Sequence, residues 1–500
     1  MKFRNVVASV CISLLVLAPG TLRGQKDPGP RSGTNGTTCV INNTTITGTG
    51  CPVAGVTTNP DQLRFFSNAA LRFVSPEAVA NGLGPTFNGN SCGMCHSQPA
   101  VGGSSPSATA FPFVQTVISV SPPVTVTGNP QVGVATLNGA SNTPPPFVTS
   151  TGPIREARFK YFYSHATGLP DRDDPDGGVH DLFTIAGRTD APGCSMAQDN
   201  FAKALATNNV IFRIPTPVFG GGLIDAIDDA TILSNLTSTF AARSALGIHG
   251  RPNRSGNDGT ITKFGWKAQN KSLLMFAHEA YSVELGETNQ MFPQKRGYGG
   301  NPPPPSCVFN SQLGGAGLPE DFTNYLPAST STELVPSDDD SFATFMRFLD
   351  QPTPAPPNGS TTNGFAKFQS TGCSLCHTPS LTTTPISAFT VSDVGAGPPP
   401  GAALGNVQAN LFSDLVLHHM GQGLADGISQ GLAGGDEFRT APLWGVGQRV
   451  YFLHDGRTAD LLQAIQSHKS SGSEANRVVD RFNNLSPSDQ QDILNFLRSL

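Results

Sequence analysis

Apolar residues recur at helical spacing in several parts of the chain. Within residues 61–80 they lie three or four positions apart, on one side of a helix. The same spacing predicts helices at about 197–207 and 224–245. The last helix is predicted from Ser486 onward, because a serine cap followed by Pro487 is typical of a helix start.

The region that begins at residue 336 carries a helix signal of its own. Three acidic residues, Asp338–Asp340, precede an apolar face at Phe342, Phe345 and Leu349, and Pro352 ends it. A Pro/Gly/Ser/Thr-rich linker is predicted over 352–364, with a short helix running from Phe365 toward residue 373.

Strand character is concentrated between residues 100 and 160. Phe113–Val120 and Val124–Val126 are rich in β-branched residues and are interrupted by Pro and Gly. Residues 25–60 are rich in Gly, Thr and Asn without an apolar period, which predicts a flexible N-terminal arm. The fold class expected is mainly α, with loop-rich and some β insertions.

Composition and charge restrict the function further. Charged residues make up 13% of the 500 residues and the formal net charge is −5. No basic patch or helix is present, which argues against nucleic-acid binding. Lys2 and Arg4 precede the apolar run Val6–Ala18, so residues 1–24 are predicted to be a secretory signal peptide. No later segment is apolar enough to span a membrane, and the expected location is the periplasm.

The motif Cys-x-x-Cys-His occurs twice, at Cys92–His96 and Cys373–His377. This spacing is typical of covalent attachment of a c-type haem, where both thiols bond the vinyl groups and the histidine binds the iron. Zinc or a redox dithiol could use a Cys-x-x-Cys pair, but neither explains the histidine after both pairs. The predicted attachment thiols and iron ligands are Cys92, Cys95, His96, Cys373, Cys376 and His377.

The remaining cysteines suit an oxidising compartment. Apart from Cys11 in the predicted signal peptide, they are Cys39, Cys51, Cys194 and Cys307. Two disulfides in one of three pairings are expected, against the alternative of four free thiols. A bond between Cys39 and Cys51 is favoured because the loop between them is short, and Cys194 would then pair with Cys307.

Several strings resemble the bacterial di-haem oxidoreductase family, which is related to di-haem cytochrome c peroxidases and the MauG enzymes. They are Phe264–Gln269, Asp414–Gly421, Phe438–Trp444, Tyr451–Arg457 and the middle segments Gly152–Arg155, His180–Phe183 and Arg213–Gly220. The resemblance spans roughly residues 60–500. It implies two cytochrome c-like haem domains, expected at 61–335 and 336–500, of which the first holds a peroxide-reactive haem and the second an electron-transfer haem.

The sixth iron ligand of the second haem is predicted to be His468. Leu461, Ile465 and His468 share one helical face, so the imidazole extends from an apolar surface. The resemblance supports this choice, because the related peroxidases place their ligand fourteen residues after the position of His454. The alternatives left open are His418, His454, His419 and Met420.

The first haem is expected to have an open sixth site, because no histidine follows His96 until His165. The resemblance implies a distal wall over 213–225, with Arg213 and Asp225 as catalytic residues and Asp225 as a proton carrier. A solvated acid at a helix start is the alternative for Asp225, and Glu279 and His278 are weaker candidates for its role.

Three further cofactor-binding residues are implied. Trp266 and Trp444 lie within family-like strings and could relay electrons, although a buried structural anchor is an equal alternative. Arg439 suits a haem propionate, because a guanidinium fork matches a carboxylate. A bridging Ca²⁺ ion is also implied, but Leu453, an extra residue in the string at 451–457, leaves it open.

The function expected is that of a periplasmic peroxidase-like oxidoreductase with two covalent haems. Electrons from a small redox protein or another donor would enter at the second haem and reduce hydrogen peroxide at the first. The alternatives are a non-catalytic di-haem electron-transfer protein and a MauG-like oxidase of a protein or small molecule. Thiol oxidation lacks support, because no spare Cys-x-x-Cys is present.

Overall fold

The computed structural model describes residues 25–31, 36, 38–41, 44–106, 128–297, 301–309, 320, 337–385 and 401–500. The predicted signal peptide and the predicted strands at 113–120 and 124–126 lie outside these residues. The described residues are mainly α, with 35% in helices and 14% in strands. None of the helices in the described part is long and apolar enough to cross a membrane.

The helices are distributed over the described ranges from residue 54 to residue 499. They are α1 (Ala54–Thr57), α2 (Pro60–Val74), α3 (Cys92–Cys95), α4 (Pro130–Val134), α5 (Phe201–Ala206), α6 (Gly221–Asp225), α7 (Asp229–Ser238), α8 (Phe240–Leu246), α9 (Leu273–Ala280), α10 (Asp338–Phe348), α11 (Gly359–Thr371), α12 (Gly401–Leu404), α13 (Leu461–Ser467), α14 (Asn476–Asn483) and α15 (Pro487–Ser499).

The strands are short and pair antiparallel. They are β1 (Thr38–Ile41), β2 (Thr44–Thr47), β3 (Thr86–Phe87), β4 (Glu156–Phe159), β5 (Tyr161–Tyr163), β6 (Pro170–Pro175), β7 (Val179–His180), β8 (Phe183–Thr184), β9 (Val210–Arg213), β10 (Asn253–Arg254), β11 (Ile261–Thr262), β12 (Leu381–Thr382), β13 (Gln408–Ala409), β14 (Leu417–His419) and β15 (Glu437–Arg439). One sheet has three strands in the order β7-β4-β9, and the other strands form two-stranded pairs. These small sheets support loops without forming a layer of their own.

The helix α10, which lies at the predicted start of the second domain, packs against α2. The ring of Phe345 lies 4.7 Å from that of Phe73 and 5.3 Å from that of Phe66, measured between centroids. Phe342 adds an edge contact with Phe73 at 6.0 Å. Helical period alone identifies a buried face but not its partner, so this packing could not be inferred from the sequence.

A second core joins α11 to α15. The rings of Phe365 and Phe368 lie 5.2 Å and 5.4 Å from the ring of Phe496. A side chain at Gly364 would place its Cβ 2.0 Å from the Asp492 carbonyl oxygen, so only glycine permits this approach. The helix α11 begins at Gly359, within the predicted linker, because Asn358 and Thr361 form a capping box.

The described part of the predicted flexible arm is held by several contacts. The hairpin of β1 and β2 carries Cys39, which forms a disulfide with Cys51. The carboxylate of Asp27 pairs with the guanidinium of Arg498 in α15 at 2.6 Å. The second disulfide joins Cys194 to Cys307, so both favoured pairings are confirmed.

Candidate haem sites

The first Cys-x-x-Cys-His motif lies on the wall of a large cavity. Cys92–Cys95 form α3, which Ser91 caps by accepting a hydrogen bond from the Met94 amide at 3.2 Å. Both thiols and the His96 ring line the cavity, whose unfilled space is about 1190 Å³. Phe73 of α2 and Phe342 of α10 contribute to the apolar wall. The cavity is large enough for a macrocyclic cofactor.

The imidazole of His96 is oriented by the backbone. Its Nδ1 lies 3.1 Å from the Gly103 carbonyl oxygen, which fixes the ring as outer-shell hydrogen bonds do in metal sites. Burial lowers the pKa of His96 to about 4, against the opposing effect of the carbonyls of Gly103 and Thr216. The ring is therefore neutral near pH 7, as an iron ligand must be.

The second motif lines a separate cavity with about 1580 Å³ of unfilled space. The Nδ1 atom of His377 lies 3.0 Å from the Phe412 carbonyl oxygen. His468, at the end of α13, lines the same cavity, and its Nδ1 lies 2.7 Å from the Ala464 carbonyl oxygen. No hydrogen bond to either Nε2 is found among the described residues. The two rings thus have the same anchoring and keep Nε2 available to a metal.

The alternative ligands of the second site differ in their availability. Both ring nitrogens of His418 are engaged, at 2.8 Å from Glu474 and 2.9 Å from Asp414. The ring of His419 is half exposed and lies outside the cavity lining. His454 and Met420 line the cavity, and the His454 ring stacks on Phe438 at 4.4 Å. The geometry therefore favours His468 over His418 and His419.

The two residues predicted to be catalytic lie apart. Arg213, on β9, lines the first cavity and donates to Gln430 at 2.6 Å and to Asp426 at 2.7 Å. Asp225 is not among the residues that line this cavity; its carboxylate lies 3.4 Å from the Arg347 guanidinium. Burial raises the pKa of Asp225.

Sequence reasoning missed most polar groups of the first cavity. The missed groups that line it include Glu156, Arg158 and Glu284. Burial, and then the neighbouring Glu156, raise the pKa of Glu284 to about 8. Of the weaker candidates, Glu279 lines the cavity, whereas His278 lies outside the lining and pairs with Asp339 at 2.5 Å. These acids come from separate segments without a shared spacing, so no motif could identify them.

The indole of Trp266 lines both cavities and forms a wall between them. Its Nε1 donates a hydrogen bond to the Ile214 carbonyl at 2.9 Å. Trp444 lines neither of the two large cavities but a third, smaller one of about 510 Å³, which Trp266 also lines. The structure thus separates the two tryptophans: Trp266 lines both candidate haem sites, and Trp444 lines only the third cavity.

Two buried arginines face the second cavity. The Nε atom of Arg439 donates to the Gly265 carbonyl at 3.0 Å, while its Nη1 has no hydrogen-bond partner among the described residues. Burial lowers the pKa of Arg439 to about 10, and that of Arg449 likewise to about 10. A buried guanidinium nitrogen without a partner is costly, and a haem propionate would satisfy it. Together with two thiols and a neutral imidazole, this arrangement fits haem.

The predicted calcium ion has no side-chain cluster within the described ranges. No group of three or more His, Cys, Asp or Glu residues there is arranged to hold a metal ion. Lys267, the residue after Trp266 in the chain, is fully buried, and its Nζ lies 3.1 Å from Oδ1 of Asp426.

Comparison with known proteins identifies the family. Residues 168–500 match the family described as "Di-haem oxidoreductase, putative peroxidase". The chain belongs to this di-haem oxidoreductase family, which confirms the resemblance drawn from its sequence motifs. None of the curated proteins compared matches the chain.

Some solved structures are similar over part of the chain. The hydrazine synthase of Kuenenia stuttgartiensis is 18% identical over 33% of this chain and 56% of its own, with a TM-score of 0.21. The dihaem peroxidase BthA of Burkholderia thailandensis E264 is 14% identical over 33% and 50%, with a TM-score of 0.21. A MauG-like protein associated with microbial copper homeostasis is 15% identical over 57% and 90%, with a TM-score of 0.27. The chain spans about half the length of the first two structures.

Proposed function

We propose that the protein is a periplasmic di-haem c-type oxidoreductase of the peroxidase kind. One haem would be attached at Cys92 and Cys95, and the other at Cys373 and Cys376. The observation that carries this proposal is that each Cys-x-x-Cys-His motif lines its own large cavity, with Trp266 lining both. Family membership supports the redox role.

Haem at the two sites would supply a peroxide-reactive iron beside His96 and an electron-transfer iron beside His377. We propose these two roles because the two cavities differ in the histidines that line them. His468 lines the second cavity and has no hydrogen bond to Nε2 among the described residues, so together with His377 it would hold the iron there. Among the described residues that line the first cavity, His96 is the only histidine. A small oxidant could therefore approach the first site.

The first cavity is also lined by carboxyl groups that can donate and accept protons. Glu284 is protonated near pH 7, because burial and Glu156 raise its pKa to about 8, and Glu279 lines the same wall. Peroxide cleavage needs a proton moved from one oxygen to the other, and a carboxyl in the cavity can carry it. Arg213 would orient the oxidant through its guanidinium. A role for Asp225, outside the cavity lining, stays a prediction.

Trp266 is the proposed route for electrons between the two sites, because it forms their shared wall. A small redox protein or another donor would reduce the second haem, and hydrogen peroxide would be consumed at the first. The signal peptide at 1–24, the periplasmic location and the calcium ion also stay predictions.

The proposal is tested with exported holoprotein and two double variants, C92A/C95A and C373A/C376A. Mass spectrometry is expected to show two attached haems in the wild type and one in each variant. Peroxide consumption is expected to disappear in C92A/C95A. Retained consumption in that variant, or attached haem missing from the wild type, would overturn the proposal. Two low-spin haems that do not react with peroxide would favour the non-catalytic carrier instead, and oxidation of an added protein or small molecule would favour a MauG-like oxidase.

A further inference from the structure

Tyr281 is a fully buried phenol on the wall of the first cavity. Its side chain is 1% exposed, and it lines the same space as Cys92, Cys95 and His96. It begins a π-helical turn, Tyr281–Leu285, directly after α9. Such turns are frequent at functional sites, because the extra residue changes where side chains point.

The Tyr281 hydroxyl lies between two carboxylates. It hydrogen-bonds to Glu287 and lies 2.9 Å from Oδ2 of Asp338. Arg72 in turn binds Asp338 Oδ2 at 2.6 Å and Glu77 at 2.6 Å. Glu77 and Glu287 each keep one buried oxygen without a hydrogen-bond partner among the described residues. The phenol therefore adjoins a buried network that can take up a proton.

We propose that Tyr281 is a redox-active tyrosine of the first haem site, which gives one electron to the haem after peroxide has oxidised it. This inference rests on the proposed function, because peroxide must first oxidise the haem beside His96. Tyr281 would then store one oxidising equivalent as a tyrosyl radical.

When Tyr281 is oxidised, the neighbouring carboxylate of Asp338 accepts its proton. One electron leaves the phenol ring and reduces the oxidised haem by one equivalent. The O–H bond of Tyr281 breaks, and its proton bonds to Oδ2 of Asp338, which leaves a neutral tyrosyl radical. An electron from the second haem, or from a substrate, together with the returned proton restores the phenol.

Because Tyr281 is buried, its oxidation requires a proton acceptor close to the hydroxyl. A charged phenol cation or a phenolate is costly where water is excluded. Burial, together with the charges of Glu287 and Asp338, raises the pKa of Tyr281, so the phenol holds its proton until an electron leaves. Transfer of the electron and proton together avoids both charged forms.

Two other tyrosines, Tyr163 and Tyr451, lack this arrangement. The Tyr163 hydroxyl contacts the Thr207 hydroxyl at 3.0 Å, and that of Tyr451 donates to the Thr151 carbonyl at 2.7 Å. A buried tyrosine needs one hydrogen-bond partner for purely structural reasons. Tyr281 has two carboxylates and faces a candidate reactive haem, which a structural role does not require.

The test uses the full-length holoprotein. Ferric protein is mixed with hydrogen peroxide, frozen within milliseconds, and examined by electron paramagnetic resonance. A tyrosyl radical signal is expected, and growth with ring-deuterated tyrosine should narrow it. Y281F should abolish the signal, whereas the matched control Y163F should retain it. D338N, which keeps the ring but removes the proton acceptor, should reduce the radical yield roughly tenfold or more, equivalent to about 1.4 kcal/mol.

The outcomes separate this inference from the proposed function. A normal haem response to peroxide, with a signal that persists in Y281F or does not respond to labelled tyrosine, would overturn the inference alone. Absence of any haem response to peroxide in the wild type would overturn both. If Y281F does not fold, the labelled wild type together with Y163F still decides the matter: a signal that deuterium does not narrow, or one that Y163F abolishes, refutes the role of Tyr281. An undiminished signal in D338N refutes Asp338 as the proton acceptor.

Discussion

The indole of Trp266 stands edge-on to the imidazole of His454, with the ring centroids 6.3 Å apart and the planes at 73°. His454 lines only the second of the two large cavities, whereas Trp266 lines both. The backbone is held here as well, because the Ile214 amide donates to the His454 carbonyl at 2.8 Å. The two candidate sites are thus connected through a fixed aromatic pair.

Replacing Trp266 with phenylalanine should slow electron transfer between the haems. W266F keeps a ring in the wall but loses the bond to Ile214 and the readily oxidised indole. The second haem should then be oxidised roughly tenfold more slowly when reduced protein is mixed with peroxide in a stopped-flow instrument. W444F is the control, because Trp444 lines only the third cavity. Equal rates in W266F and the wild type would refute the route.

Replacing His468 with alanine should change the spin state of the second haem. Without the proposed ligand, one low-spin signal in the electron paramagnetic resonance spectrum of the ferric protein should convert to high spin. H468M should instead stay low-spin with a raised midpoint potential, because a thioether favours the reduced iron. H419A serves as the control, since the His419 ring is half exposed and outside the cavity lining. An unchanged spectrum in H468A would exclude His468 as ligand.

Neutralising Arg439 should lower the midpoint potential of the second haem. A fixed positive charge in a buried site stabilises the reduced state, so R439Q should shift the potential downward by on the order of 50 mV. Potentiometric titration measures the shift. R457Q is the matched control, because Arg457 is 38% exposed and already pairs with Asp455. A potential that falls equally in both variants would contradict a specific role for Arg439.

Stability should depend on the protonation of His180. Burial alone would lower its pKa, but hydrogen bonds with Asp176 and Asp199 outweigh burial and raise the pKa to about 9. The folded state therefore binds the proton more tightly than the unfolded chain, whose histidine has a pKa of about 6.5. The contribution, about 3 kcal/mol, is fully present below pH 6.5 and is lost as the pH rises through 9.

The measurement is the thermal unfolding midpoint of the holoprotein between pH 6 and pH 10. Wild type should lose stability between about pH 6.5 and about pH 9, whereas H180Q should be less stable at pH 6 and show a smaller loss. The aromatic neighbour Phe159, stacked on His180 at 3.7 Å, is uncharged and does not titrate. Parallel pH profiles for the two proteins would show that the contacts of His180 with Asp176 and Asp199 do not contribute to the pH dependence of stability.

The sequence predicted local features of the sites well. In each Cys-x-x-Cys-His motif the two thiols and the histidine line one cavity, and His468, which follows the apolar face that includes Leu461, lines the same cavity as His377. Both favoured disulfides form, since a short loop made Cys39 and Cys51 natural partners. These features depend on residues close in sequence or on elimination among a few cysteines.

Features that depend on distant segments were not predictable. The helix α10 has the expected face, but its partner α2 lies more than two hundred residues earlier in the chain. Glu156 and Glu284 meet in the first cavity only because β4 and the turn after α9 converge there. The family resemblance implied a distal wall over 213–225, yet Asp225 does not line the first cavity and its carboxylate lies 3.4 Å from the Arg347 guanidinium.

The pairing of Asp27 with Arg498 joins positions 471 residues apart. A chain made from its amino end presents Asp27 long before α15 exists, and α15 supplies Ile493 and Leu497 to the wall of the second cavity. During synthesis the second cavity therefore lacks this part of its wall until the final helix docks. Attachment of the proposed haem at Cys373 and Cys376 could precede that step, and the Asp27–Arg498 contact would then hold α15 over a cavity that is already occupied.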